Sequence, residues 1–160
     1  MEGLRGWLNL SGLIVSIPHK ETMARLVDDL DETAAHSMSV NAVRRHPDGR
    51  LVGAMFDGTG FVAGLRAQGH EVAARKVTLV GAGGAGHAIG FALARAGVAR
   101  LHVVNRTRER GERLAASVAE GTGLVDVRSV DAPSPDDDIV VNATSLGLKP
   151  DDPLPFTVDG

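Results

Sequence analysis

Hydrophobic and polar positions along this chain fall into short β-branched runs separated by stretches with helical spacing, and the alternation becomes regular in the second half. Gly12–Ile17 reads as a strand that Pro18 ends, and Lys20–Leu30 as a helix with Met23, Leu26, Val27 and Leu30 on one side. Lys20 then lies at a strand-to-helix junction. Met38–Arg44 and Arg50–Phe56 read as two strands joined by His46-Pro47-Asp48-Gly49, whose turn-forming residues make the pair a β-hairpin. Phe61–Ala67 follows as a helix ending near Gly69, with Asp57 as its candidate N-cap.

Beyond Lys76 the pattern reads strand Val77–Val80, helix Ala85–Ala96, strand Leu101–Val104, helix Arg108–Ala119 and a short strand over Leu124–Arg128. An acidic loop, Asp131–Asp138, then leads into a strand at Ile139–Asn142. Strands alternating with helices predict an α/β protein whose second part is a doubly wound parallel sheet. Such a sheet carries about six strands in the order 3-2-1-4-5-6, and only four are available here. The sheet is therefore expected to be incomplete, with Ile139–Asn142 as an exposed apolar edge open to aggregation or strand exchange. The tail, with Pro150, Pro153 and Pro155, reads as an extended loop.

Composition narrows the function classes. The chain has 160 residues, 43% of them hydrophobic, which is enough to form a core. A net charge of −3 gives no sign of a nucleic-acid surface, and 3% aromatic residues with no tyrosine supply no stacking platform for single strands. The absence of cysteine removes disulfides and thiolate metal sites. His19 and His87 have no partners at metal-ligand spacing, so no metal site is expected. The N-terminus lacks signal-peptide regions and no apolar run is long enough to span a bilayer, so a cytoplasmic protein without membrane partners is the expectation.

Chemistry concentrates in Lys76–Thr107. Gly81, Gly83 and Gly86 form G-x-G-x-x-G directly after the run Val77–Val80 and at the start of an apolar helix, the context in which the pattern marks a dinucleotide site. The turn Gly81, Gly83, Gly84, Ala85 and Gly86 would present backbone N–H groups and the positive end of the helix dipole to a pyrophosphate. An NAD site places Asp or Glu at the end of the second strand, roughly 20 residues beyond the glycines. Here that strand ends in Asn105, Arg106 and Thr107, with Arg108 and Arg110 following. An amide, a hydroxyl and guanidinium groups hold a 2′-phosphate that a carboxylate would repel, so NADP is the predicted cofactor. Glu109, Glu112 and Arg113 fit a solvated, salt-bridged helix face.

Taken in order, VSIPHK at Val15–Lys20, VNA at Val40–Ala42, GAMFDGTGF at Gly53–Phe61, GAGGAG at Gly81–Gly86, NRT at Asn105–Thr107 and NATSLGL at Asn142–Leu148 resemble the shikimate dehydrogenase family. The resemblance covers nearly all of Gly12–Leu148. It implies a two-domain α/β enzyme that interconverts 3-dehydroshikimate, or a related cyclic keto acid, and shikimate with NADP, in aromatic amino-acid precursor synthesis. On it, residues 1–68 are a partial N-terminal substrate domain, and residues 69–160 are a partial NADP-binding Rossmann-type domain. Lys20 matches the catalytic lysine and Asp57 its aspartate partner, which also touches substrate. Asn41 matches an asparagine that hydrogen-bonds a substrate hydroxyl, and Ser16 stands where the family has a threonine. Asn142, Ala143, Thr144 and Ser145 match a loop near the nicotinamide. A small cyclic hydroxy acid is the expected partner, and a homodimer the candidate assembly.

Departures from the family's pattern accompany the matches. Ile14, Ala42, Met55 and Phe56 stand where the family has polar residues, which points to a substrate with fewer hydroxyls or different substituents. The family's N-terminal carboxylate-binding serines and its closing C-terminal helices have no counterpart, so an internal fragment or shortened reading frame is the expectation. A non-catalytic remnant that at most binds a dinucleotide is the competing reading. A relative with a folate-linked or amino-acid substrate is disfavoured by the paired VSIPHK and FDGTGF motifs.

Overall fold

A computed structural model describes residues 2–156, which divide into two units, one up to Asp57 and one from Gly58 onward. The division falls one helix earlier than the 68/69 boundary read from the sequence. The reason is Gly58, where a Cβ would overlap the Ala88 carbonyl oxygen, and Val62, which joins the second unit's core.

The first unit opens with α1 (Glu2–Arg5), followed by β1 (Gly12–Ile14) and α2 (Lys20–Ala24). Next come β2 (Asp29–Leu30), α3 (Glu32–Ser37), β3 (Ala42–Arg45) and β4 (Leu51–Ala54). Its sheet runs β1-β3-β4-β2, antiparallel except where β2 pairs parallel with β4. The β3–β4 hairpin forms as expected. Gly49 takes φ +89°, and the Asp48 carboxylate accepts the Arg50 backbone N–H at 3.0 Å. Val15, Val40, Val43, Leu51 and Met55 make the buried core of this unit.

Two expectations fail here. The helix from Lys20 stops at Ala24, and Leu30 lies in a strand, not on a helix face. Val27 and Leu30 reach the core another way, closing with Val40 over Gly53, where a Cβ would come within 2.6 Å of Val40. Helical spacing and a parallel edge strand place these side chains equally well, and tertiary pairing decides. Strand Met38–Arg44 begins only at Ala42, because α3 precedes it, with Asp31 Oδ1 accepting from Ala34 N at 2.7 Å as its N-cap.

The second unit contains α4 (Asp57–Ala67, starting at the boundary), β5 (Lys76–Val80), α5 (Gly84–Arg95), β6 (Arg100–Val104) and α6 (Arg108–Thr122), then β7 (Val127–Val130) and β8 (Ile139–Asn142). All four strands are parallel in the order β7-β6-β5-β8, the first four positions of a doubly wound sheet. Val77, Leu79, Leu101, Val103 and Val141 bury one face with Leu93, Leu114 and Val118. α6 runs on to Thr122, capped by Gly123 at φ +74°, which pushes β7 later than the predicted Leu124–Arg128. β8 takes its predicted bounds and ends the order, with Val140 37% exposed.

The acidic loop is not simply solvated. Thr78, His102 and Arg128 stand in one register row across β5, β6 and β7, and both Thr78 and His102 are buried. Asp137, from the loop, accepts from Thr78 Oγ1 at 2.6 Å, Arg100 Nη2 at 2.8 Å and Ser134 N at 2.8 Å. Asp136 and Asp138 add bonds to Arg100 and to the Lys76 backbone N–H.

Candidate catalytic constellation and dinucleotide cleft

In the first unit, the hydrogen bond from Val15 N to Asn41 O and that from Asn41 N to Ala54 O extend the sheet past its formal ends. Val40 N donates to Lys20 O at 3.0 Å, tying the start of α2 to the segment before β3. Three side chains converge as a result. Lys20 Nζ donates to Asp57 Oδ2 at 2.8 Å, and Asn41 Nδ2 donates to Asp57 Oδ1 at 2.7 Å. Asn41 Oδ1 in turn accepts the Phe56 backbone N–H at 3.0 Å, fixing the amide's orientation.

Both oxygens of Asp57 are thus engaged by side chains, a different role from the simple helix cap its position suggested. Lys20 and Asp57 are about a quarter exposed, at 23% and 26%. The amine is held yet open to a ligand. Ser16 lies exposed in the turn before α2, where its carbonyl accepts from His19 N at 2.9 Å. Phe56, 56% exposed, flanks the group, while Met55 is buried and Ile14 stands 85% exposed in one row with Ala42 and Ala54.

In the second unit a cleft of about 740 Å³ opens at the carboxyl ends of the parallel strands. This is where ligands bind in open α/β sheets. Of the residues expected there, Gly81, Gly83, Asn105, Arg106, Thr107, Arg110, Ala143, Thr144 and Ser145 line it. Gly81 takes φ +112°, and a Cβ on Gly86 would overlap the Gly81 carbonyl oxygen, so both positions require glycine for the turn and the close helix approach. Gly83 is the N-cap of α5 with no side-chain cap, and a Cβ there would meet no other atom.

Four expected residues do not line the cleft. Gly84 and Ala85 form the first residues of α5, and Gly86 packs on Gly81. Asn142 braces the following loop, its Oδ1 accepting from Thr144 N at 2.9 Å and its Nδ2 donating to Leu146 O at 2.9 Å. Asn105 lines the cleft but also holds its shape. Its Oδ1 accepts from Ala82 N at 3.0 Å and its Nδ2 donates to Thr107 O at 2.8 Å, joining the end of β6 to the glycine turn.

Arg108, which follows the strand end with Arg110, lines the cleft too, and the sequence reading missed Ser129 and Asp131, which also line it. Ser129 and Asp131 lie at the end of β7, whose bounds were set too early. The signal was available in the strand order, since the end of the strand beside β6 has to border the same cleft. His87 Nδ1 lies 3.1 Å from Gly83 O within α5's first turn, consistent with a structural role. Among the described residues no group of His, Asp and Glu could hold a metal ion, and no helix is long and apolar enough to cross a membrane.

The parallel sheet with its glycine turn defines the second unit as an incomplete Rossmann-type α/β unit, attached to a smaller unit that carries a lysine–aspartate–asparagine group. The profile described as shikimate/quinate 5-dehydrogenase matches residues 64–148, and that of the shikimate dehydrogenase substrate binding domain matches residues 1–43. The chain belongs to the shikimate dehydrogenase family. It is 42% identical over 159 residues to the shikimate dehydrogenase (NADP(+)) of Rubrobacter xylanophilus, covering 98% of this chain and 56% of that protein.

Among solved structures it resembles a shikimate dehydrogenase in complex with NADP+ at TM-score 0.81 and 31% identity, covering 94% of this chain and 53% of that one. It also resembles the ligand-free 5-ketofructose reductase of a Gluconobacter strain, at TM-score 0.82 and 32% identity, with 97% and 57% covered. The chain spans about half the length of the curated relatives it matches.

Proposed function

We propose that this chain is part of an NADP-dependent oxidoreductase that interconverts 3-dehydroshikimate, or a related cyclic keto acid, and shikimate. The observation that carries the proposal is the bond of Lys20 Nζ to an Asp57 carboxylate whose other oxygen is held by Asn41. The names of the relatives support the reaction and the cofactor.

The cleft suits the cofactor on its own terms. The Arg106 and Arg110 side chains line it without a hydrogen bond or ion pair to any described residue, leaving two guanidinium groups for a 2′-phosphate. Gly81–Gly83 and the N-terminus of α5 suit a pyrophosphate, since a phosphate oxygen can approach the backbone where Gly83 has no side chain. When bound, the nicotinamide supplies or accepts a hydride.

Reduction moves the carbonyl π electrons onto oxygen. Lys20, as the ammonium, stabilises that charge and gives the oxygen a proton from Nζ, while oxidation runs the same transfer backwards. Asp57 orients Nζ, and Asn41 keeps Asp57 from turning away. Ser16 and Asn41 offer polar contacts to substrate hydroxyls.

The test is NADP+ reduction by the full chain with shikimate, quinate and less hydroxylated cyclic acids, alongside Lys20→Ala. We expect the variant to lose about 10²–10⁴ in turnover with an unchanged Kd for NADP+. Unchanged turnover in the variant would remove Lys20 from the chemistry.

A further inference from the structure

The rim of the cleft contains an ion pair that the reading above does not use. Asp131 directly follows β7 and Asn105 directly follows β6, and Val130 and Val104 are register partners, so the two strand ends stand side by side. Both residues line the cleft. Three arginines line it too, but they are not equivalent. The Arg106 and Arg110 guanidinium groups have no partner among the described residues, whereas Arg108 donates from Nε to Glu112 Oε1 at 2.9 Å and from Nη1 to Asp131 Oδ1 at 3.4 Å.

We propose that Asp131 is a specificity-determining residue for the cofactor: it restrains Arg108 at the rim and sets a carboxylate beside the ribose end of the cleft. The cleft thereby prefers a 2′-phosphorylated adenosine less strongly than its three arginines would allow. The inference rests on the dinucleotide reading of the cleft and adds a residue to it.

Two effects act in the same direction. A 2′-phosphate carries about −1.5 to −2 charges near neutral pH, so it is repelled by the Asp131 carboxylate. Arg108, held by two carboxylates, cannot turn fully towards that phosphate without giving up at least one of them. An unphosphorylated ribose feels neither effect. The Asp131 side chain is 91% exposed and Arg108 67% exposed, so solvent screens the pair. The expected change is correspondingly modest, about two- to fivefold in affinity.

The experiment is calorimetric titration of the full chain with NADP+ and NAD+, and with 2′,5′-ADP and 5′-AMP as shorter probes, at low and high salt. Asp131→Asn keeps the shape and removes the charge. It should tighten NADP+ and 2′,5′-ADP about two- to fivefold and change NAD+ and 5′-AMP by clearly less, with the gain shrinking at high salt. In an Arg108→Gln background the same substitution should give less than half of that gain. An unchanged or reduced NADP+/NAD+ preference in Asp131→Asn overturns the role of Asp131. In that case wild-type binding of NADP+ still leaves the dinucleotide reading standing. A wild-type chain that binds neither nucleotide overturns both.

Discussion

Replacing Asp137 by Ala would test whether the acidic loop is a structural part of the parallel sheet. The carboxylate is 1% exposed and holds Thr78 in the central strand, Arg100 at the start of β6 and the Ser134 backbone N–H. Removing one partner of a buried ion pair costs about 3–5 kcal/mol when it strands the other charge. Arg100 is not stranded, because Asp136 also accepts from it at 3.1 and 3.0 Å. What remains is the loss of acceptors for the Thr78 hydroxyl and the Ser134 amide, two part-buried bonds each worth about 1–2 kcal/mol.

The expected destabilisation by Asp137→Ala is therefore about 2–4 kcal/mol. In thermal unfolding that is a Tm lower by about 5–15 °C, and in urea a lower midpoint with an unchanged slope. Burial pushes the Asp137 carboxyl up, but the bonds from Thr78, Arg100 and the Ser134 amide outweigh it and hold the group below its usual 3.8. Its contribution is thus present above that value and lost as pH falls through the depressed one, so the gap between wild type and variant narrows in acid. A loss under about 1 kcal/mol, or a gap that widens on acidification, would refute the reasoning.

Two further outcomes follow from the second unit. His102, buried in β6, accepts from Arg128 Nε at 3.0 Å, and burial followed by the charges of Arg100 and Arg128 holds its pKa below the ordinary 6.5. The unfolded chain therefore binds the proton first, and stability should fall as pH drops below 6.5. His102→Gln should flatten that part of a urea-midpoint profile, and an unaltered slope would count against it. Arg106→Ala should weaken NADP+ binding by about tenfold or more and NAD+ binding far less, from the loss of a charge-assisted bond to phosphate. Equal losses by calorimetry would exclude a 2′-phosphate contact.

A 5-ketofructose reductase and a shikimate dehydrogenase share this architecture with the chain at similar TM-scores. Chains of this architecture are thus named for more than one substrate. Phe56, one of the departures from the family's pattern, is exposed beside Lys20, Asp57 and Asn41 and donates its backbone N–H to Asn41 Oδ1.

Read alone, the amino-acid order determined whatever depends on local geometry. The Pro47-Asp48-Gly49 turn, the strand–glycine–helix unit at Gly81–Gly86 and the edge strand Ile139–Asn142 all stand as their residue types require. The first two rest on short-range constraints: a φ that only certain residues adopt, or a helix approach that only glycine permits. Tertiary structure decided what depends on partners distant in sequence. Whether Leu30 sits on a helix or a strand was set by pairing with Val52–Gly53. Whether Asp57 caps its helix or holds an amine was set by Lys20, 37 positions away. Asp131 and Asp137 sit in the same acidic run, yet one is 91% exposed at the cleft rim and the other 1% exposed against Thr78 and Arg100. Residue type is the same at the two positions, and only the fold assigns the dielectric and the partners that give each carboxylate its role.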